Sequence, residues 1–136
     1  MSRFRDSSHS SEMKLLLDTH AVLWLLGGDA RLPEWLQGVA AEPDPGLTVS
    51  DVSIWEIAIK SSLGRLEVPD DLPQHLEASG INELPIKRSH LWKVRSLEFH
   101  HNDPFDRLLV AQALLEDMTL VSKDRHLAAY GMSLRW

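Results

Sequence analysis

The chain has 136 residues, 43% hydrophobic and 25% charged, which is long enough for one core and too apolar for a disordered polypeptide. It has no cysteine, so disulfides and thiolate metal sites are excluded, and a reducing compartment fits. The formal net charge of -6 argues against a protein that holds nucleic acid through a broad basic face. It does not exclude a nuclease, because a metal-dependent site concentrates carboxylates.

Residues 1–12 are polar and serine-rich without an apolar signal-peptide core, and they read as a disordered or added N-terminal extension. A single domain is expected over residues 13–136. Lys14-Leu15-Leu16-Leu17-Asp18 is an apolar run ending in an acid, and a helix through Leu26 follows, stopped by Gly27-Gly28. Asp18 therefore stands at the carboxyl end of the first strand, where it also suits a helix N-cap. Leu32 to Leu36 begins a second helix, residues 42–46 form a loop, and Leu47-Thr48-Val49-Ser50 forms a second strand.

The helix from Asp51 to Ser62 is apolar nearly all round, with Val52, Ile54, Trp55, Ile57, Ala58 and Ile59, and burial on most sides is expected. Glu56 lies in its middle, in line with Val52, Ile59 and Leu63. A carboxylate there is costly unless paired, protonated or bound to a cation. A short helix at residues 70–79, a strand at Leu84-Pro85-Ile86 and a helix at residues 88–97 follow. No stretch is long and apolar enough to span a bilayer, so a soluble, cytoplasmic protein with no membrane partner is expected.

Residues 100–123 carry the densest information. Asp103 reads as an N-cap, Pro104 as the first helical residue and Asp106 as a first-turn acid. Leu108, Leu109, Ala111, Leu114 and Leu115 recur at helical spacing, and Glu116-Asp117 closes the element. Thr119 to Ser122 is a strand that delivers Asp124 at its carboxyl end, before a short helix at residues 124–130 and an edge strand at residues 132–135.

Strands alternating with helices predict an α/β fold with a mostly parallel sheet, whose ligands bind beyond the strands' carboxyl ends. Asp18 and Asp124 follow strands there, and Asp106 and Glu56 lie on helices whose N-termini can face the same rim. Two unit charges 4 Å apart repel by ~4 kcal/mol at an effective dielectric of about 20, so four convergent carboxylates call for cations. Oxygen ligands favour Mg²⁺ or Mn²⁺, and the matching chemistry is metal-activated water attacking a phosphodiester. Ser50 and Ser122 could position a metal-bound water or simply cap helices, and His101 could contact substrate. Lys60, Arg65, Lys87, Arg88, Lys93, Arg95, Arg107, Lys123 and Arg125 are available for phosphate contacts or stand as solvated surface. Trp24, Leu25, Trp35 and Leu36 either fill the core or form an apolar groove for a partner helix.

Three motifs carry a resemblance. LLLDTHAVLWLL (15–26), SIWEIAIKSSLGRL (53–66) and NDPFDRLLVAQALLEDMTLVSKD (102–124) resemble, in order, the motifs of PIN-domain ribonucleases, specifically VapC-type toxins of toxin–antitoxin pairs. The resemblance implies a three-layer α/β/α PIN-like fold and assigns Asp18, Glu56, Asp106 and Asp124 as the metal-site acids, with Asp103 accessory. It further implies Mg²⁺- or Mn²⁺-dependent cleavage of RNA, a cognate VapB-type antitoxin that blocks the site, and a homodimer. Two alternatives compete. A receiver-like or haloacid-dehalogenase-like phosphotransfer domain also places an aspartate and Mg²⁺ at strand ends, though the latter wants a second Asp at His20 and the former leaves Glu56 unused. The other is a catalytically silent PIN-like binding module.

Overall fold

The computed structural model describes residues 14–136, so the reading of residues 1–12 lies outside the described part. In chain order the elements are β1 (Leu15–Leu17), α1 (Thr19–Gly27), α2 (Glu34–Ala40), β2 (Leu47–Ser50) and α3 (Asp51–Ser62). Then come α4 (Leu72–Ala78), β3 (Asn82–Leu84), α5 (Arg88–Val94), α6 (Pro104–Glu116), β4 (Thr119–Val121), a 3₁₀ helix (Arg125–Tyr130) and β5 (Leu134–Arg135). The strands form one sheet in the order β3-β2-β1-β4-β5, and every pairing is parallel.

Both faces of the sheet are covered, which is why β1 is three consecutive leucines rather than an alternating strand. Leu15 and Leu17 point to one face, with Leu47, Val49 and Val121, against Val22 of α1 and Leu36 of α2. Leu16 and Leu120 point to the other, against the apolar side of α6 and Leu97. The result is the three-layer α/β/α architecture that the motifs imply. From β1 the chain steps outward through β2 to β3, then crosses back to β4 on the other side of β1. The order therefore reverses between β1 and β4, the place where open parallel sheets bind ligands.

Three local expectations are corrected. β3 covers Asn82–Leu84 rather than Leu84–Ile86, because Pro85 has no N–H to give a ladder. α5 ends at Val94 rather than 97, and the carbonyls of Val94, Leu97 and Glu98 turn to the Arg107 guanidinium instead. α3 is not buried on most sides. Trp55 is 50% exposed and Ala58 is also exposed, while Val52, Ser53, Glu56 and Ile57 make the buried stripe. Trp55 packs edge-on against Phe105, ring centroids 4.9 Å apart, in place of deeper burial.

Candidate metal centre

Each site acid is placed by a local signal. Asp18 follows β1, is tied to β4 by its N–H to the Val121 carbonyl (3.0 Å), and caps α1 by accepting from the Ala21 N–H at 2.8 Å. Asp103 caps α6, accepting from the Phe105 and Asp106 N–H groups at 2.8 and 3.2 Å, which sets Asp106 in the first turn. Asp124 caps the 3₁₀ helix through the His126 N–H at 3.0 Å. For Asp18 and Asp103 the capping reading holds, Asp124 proves to be a cap as well, and all three line one cavity.

That cavity, of about 360 Å³, is lined by Asp18, Glu56, Asp103, Asp106, Ser122 and Asp124. Lys60 and Lys123 also line it. The carboxylates feel one another. Burial first, then the Asp103 charge, pushes the Asp106 carboxyl up to about 7, with Asp18 and Glu56 adding to the rise. Burial also raises Asp18, offset in part by the Ser122 hydroxyl and the Ala21 N–H. A small cavity lined by five carboxylates, one of them pushed up to about 7, suits a divalent cation. Asp18, Glu56, Asp106 and Asp124, the acids that the resemblance assigns to a metal site, all line the cavity.

Glu56 is 5% exposed, and both of its oxygens are engaged. Thr19 Oγ1 donates to Oε1 at 2.6 Å, and Lys60 Nζ pairs with Oε2 at 2.6 Å, one helical turn on. The ion-pair reading of Glu56 is thus realised with Lys60, and it coexists with a place on the cavity wall. Glu56 in turn raises the Lys60 ammonium, chiefly through this hydrogen bond. Neither partner stood out in the sequence, although Lys60 was legible as the i+4 cation. Thr19, directly after Asp18, gave no signal, because its contact is made across 37 residues.

His101 lies between two acids, its Nε2 2.8 Å from Asp124 Oδ2 and 3.5 Å from Asp106 Oδ2. Ligand atoms of His101, Asp106 and Asp124 fall within 4.8 Å of one another, a grouping that can hold a metal. The ring's other nitrogen argues against His101 as a ligand. Nδ1 accepts from the Asp103 N–H at 3.0 Å, so the proton of the neutral ring is on Nε2, which then donates to Asp124 and offers no lone pair.

Other expected residues sit elsewhere. Ser50 is fully buried, caps α3 through the Val52 N–H and hydrogen-bonds to Gln112, so it positions no water in the cavity. Ser122 lines the cavity and accepts from the Asp124 N–H at 3.1 Å. Leu36 is a core residue at 0% exposure, while Trp24, Leu25 and Trp35 are half-buried against the same cluster. Arg107 is buried and wholly committed to three carbonyls and the Tyr130 hydroxyl, so it is removed from the cations available to phosphate.

Fold and site together define a parallel α/β domain with an acidic centre at its topological switch point. The chain belongs to the PIN-domain family, whose model matches residues 15–131. Among solved structures it is similar to VapBC2 from Rickettsia felis bound to a DNA fragment from its promoter, at 13% identity and a TM-score of 0.64, covering 89% of this chain and 96% of that one. A toxin–antitoxin complex from Klebsiella pneumoniae (16% identity, TM-score 0.60) and FitAcB from Neisseria gonorrhoeae (17%, 0.60) each match 90% of this chain and 96% of their own. No curated protein matches the sequence significantly. Among the described residues no helix is long and apolar enough to cross a membrane.

Proposed function

We propose that this chain is a metal-dependent endoribonuclease and the toxin of a toxin–antitoxin pair. The observation that carries the reading is the five-carboxylate cavity at the β1/β4 switch point, with Asp106 held near neutrality. A bound Mg²⁺ or Mn²⁺ would supply Lewis acidity and a water of lowered pKa to a phosphodiester. Asp18 and Asp124, each fixed through one oxygen by a helix cap, would hold the ion with the other. Glu56 is kept in place by Thr19 and Lys60. Asp106 must give up its proton for the ion to bind, which couples metal loading to pH. His101 orients Asp124 through its Nε2 proton.

The partner proposed is a VapB-type antitoxin, by analogy with the complexes that share the fold. A homodimer belongs to the same reading and is tested by sedimentation of the free chain.

The deciding experiment incubates purified protein with RNA and Mg²⁺, with and without EDTA, and determines the product ends. Hydrolysis by activated water leaves a 5′-phosphate and a 3′-hydroxyl. A 2′,3′-cyclic phosphate, or cleavage indifferent to EDTA, would overturn the mechanism. RNA left intact at full metal occupancy would make the domain a binding module.

A further inference from the structure

Next to the acidic cavity lies a larger cleft of about 790 Å³, and the two share Thr19, His20, Trp24, Glu56 and Lys60 in their walls. Its floor is apolar, from Leu23 and Leu26 of α1 to Leu66 and Val68 after α3. Its polar lining is of the opposite character to the acidic cavity. Arg31, Lys60, Arg65 and two histidines face it against only Glu56 and Glu67, in a chain whose net charge is -6. Arg31, Lys60 and His75 have acidic partners in Asp29, Glu56 and Asp71. Arg65, in the cleft, and Lys123, in the acidic cavity, form no ion pair among the described residues.

Trp24 is the largest apolar side chain shared by the two walls. It is half-buried, the Arg31 guanidinium lies over its ring at 4.5 Å, and Lys123 Nζ stands 6.0 Å from the ring centroid. A half-buried indole with Arg31 and Lys123 near its ring and His20 and Trp136 packed against it at 5.7 and 5.6 Å, standing in the walls of both an apolar cleft and an acidic cavity, has the chemistry of a single-stranded nucleic acid site. Phosphates meet cations and bases stack on aromatic faces, with no need for a particular base. A volume within the roughly 300–1,000 Å³ range of ligand sites takes only a short run of nucleotides.

We infer that the cleft is the channel for unpaired RNA on one side of the scissile phosphate, with Trp24 as the base-stacking platform and Arg65 as a phosphate contact. This rests on the ribonuclease reading and deepens it. The channel lies on one side of the acidic centre, so affinity depends on the strand's length on that side alone. Duplex RNA, with its bases already stacked, is excluded from the platform.

The test uses the full chain and a short fluorescein-labelled oligoribonucleotide, with binding followed by anisotropy in Ca²⁺ and cleavage followed separately in Mg²⁺. Trp24→Ala is expected to raise the Kd about tenfold, within the range that one base–aromatic stack provides, and Trp24→Phe to recover most of it. Arg65→Ala should lower the slope of log K against log salt by about 0.7, the value for one lost contact to a single strand. Trp24→Phe with wild-type melting and no recovery of affinity would overturn the stacking role. If the wild type cleaves RNA in Mg²⁺ while Trp24→Ala and Arg65→Ala keep its Kd and salt slope, the inference fails and the ribonuclease reading stands. If the wild type neither binds nor cleaves RNA, both fail. Variants that hold RNA normally but release a cognate antitoxin peptide would give the cleft to the protein partner and overturn the proposal.

Discussion

Replacing Asp106 by asparagine removes the carboxyl that its surroundings least tolerate as an anion. Burial and the neighbouring Asp103 raise it from 3.8 to about 7. At about 1.36 kcal/mol per tenfold change in proton affinity, that rise corresponds to ~4 kcal/mol for a fully buried group. The side chain is 26% exposed and partly screened, so the expected effect falls to on the order of 1–2 kcal/mol. The sign follows from linkage. The folded state binds this proton more tightly than the unfolded one, so the favourable contribution is complete below about pH 4 and is lost as pH rises through about 7. Asp106→Asn should therefore melt roughly 5 °C above the wild type at pH 8 in EDTA and level with it near pH 4, taking roughly 3–5 °C per kcal/mol for a domain of this size. Saturating Mg²⁺ should reverse the order, because the wild type gains binding free energy that the variant forfeits. Calorimetric melts at both pH values, with and without Mg²⁺, check this. A variant less stable than the wild type at pH 8 in EDTA, or a gap that does not change with pH, would refute the picture of mutually repelling carboxylates.

Four further outcomes follow from the same geometry. Mg²⁺ affinity should rise about tenfold between pH 6 and 8, with close to one proton released at pH 6 and roughly a tenth at pH 8, measured by titration calorimetry in buffers of different ionisation enthalpy, and Asp106→Asn should abolish that dependence. Glu56→Gln keeps an acceptor for Thr19 and loses only the charge opposite Lys60, whose side chain is 40% exposed and can turn to water, so metal-free melts should shift by about 1 kcal/mol or less while metal binding is lost; an unfolded variant would make Glu56 a structural residue. His101→Ala should change Mg²⁺ affinity by less than about threefold, against tenfold or more for Asp124→Asn, and equal losses would make His101 a ligand. Arg107→Met strands the Leu97 and Glu98 carbonyls, while the Val94 carbonyl and the Tyr130 hydroxyl keep the Leu97 and His100 N–H groups, so urea denaturation should show a loss of about 1–3 kcal/mol, of which Arg107→Lys recovers less than half; a loss under ~0.5 kcal/mol would sink the clamp.

Periodicity carried most of the fold because short-range rules decide it. Pro104 after Asp103, Gly28 in the left-handed conformation at φ 64° and three leucines in a row each specify local structure within a few residues. Contacts between distant segments were hidden. Arg107 read as a surface cation at the edge of an amphipathic helix, and only the end of α5 folding onto it reveals a buried clamp. Ser50 at a strand end was indistinguishable from Ser122 at another. What separates them is position across the sheet: β4 borders β1 at the switch point, whereas Ser50 is closed over by Gln112, 62 residues away. Trp24 matched an outward-facing partner residue equally well, because a helix of nine residues does not say which of its sides borders a cavity.

Capping and the proposed metal binding are not rival roles for the aspartates in this fold. A carboxylate has two oxygens, and in Asp18 and Asp124 the backbone engages Oδ1, through Ala21 and His126 respectively. The cap uses a bond that helix termini need in any case, and it fixes the plane of the carboxyl so that the second oxygen has few directions left. In Asp124 that second oxygen already receives the His101 proton. A parallel sheet whose strands end in Asp followed by a helix thus orients its ligands through its own secondary structure. The cost falls on Asp106, which caps nothing and is carried into the cavity by the helix that Asp103 starts. It is also the acid pushed up to about 7, by burial first and then by the Asp103 charge, so the aspartate without a backbone partner is the one on which a proton relieves the cluster. A cation that displaced this proton would remove the repulsion and use the orientation that the caps already provide.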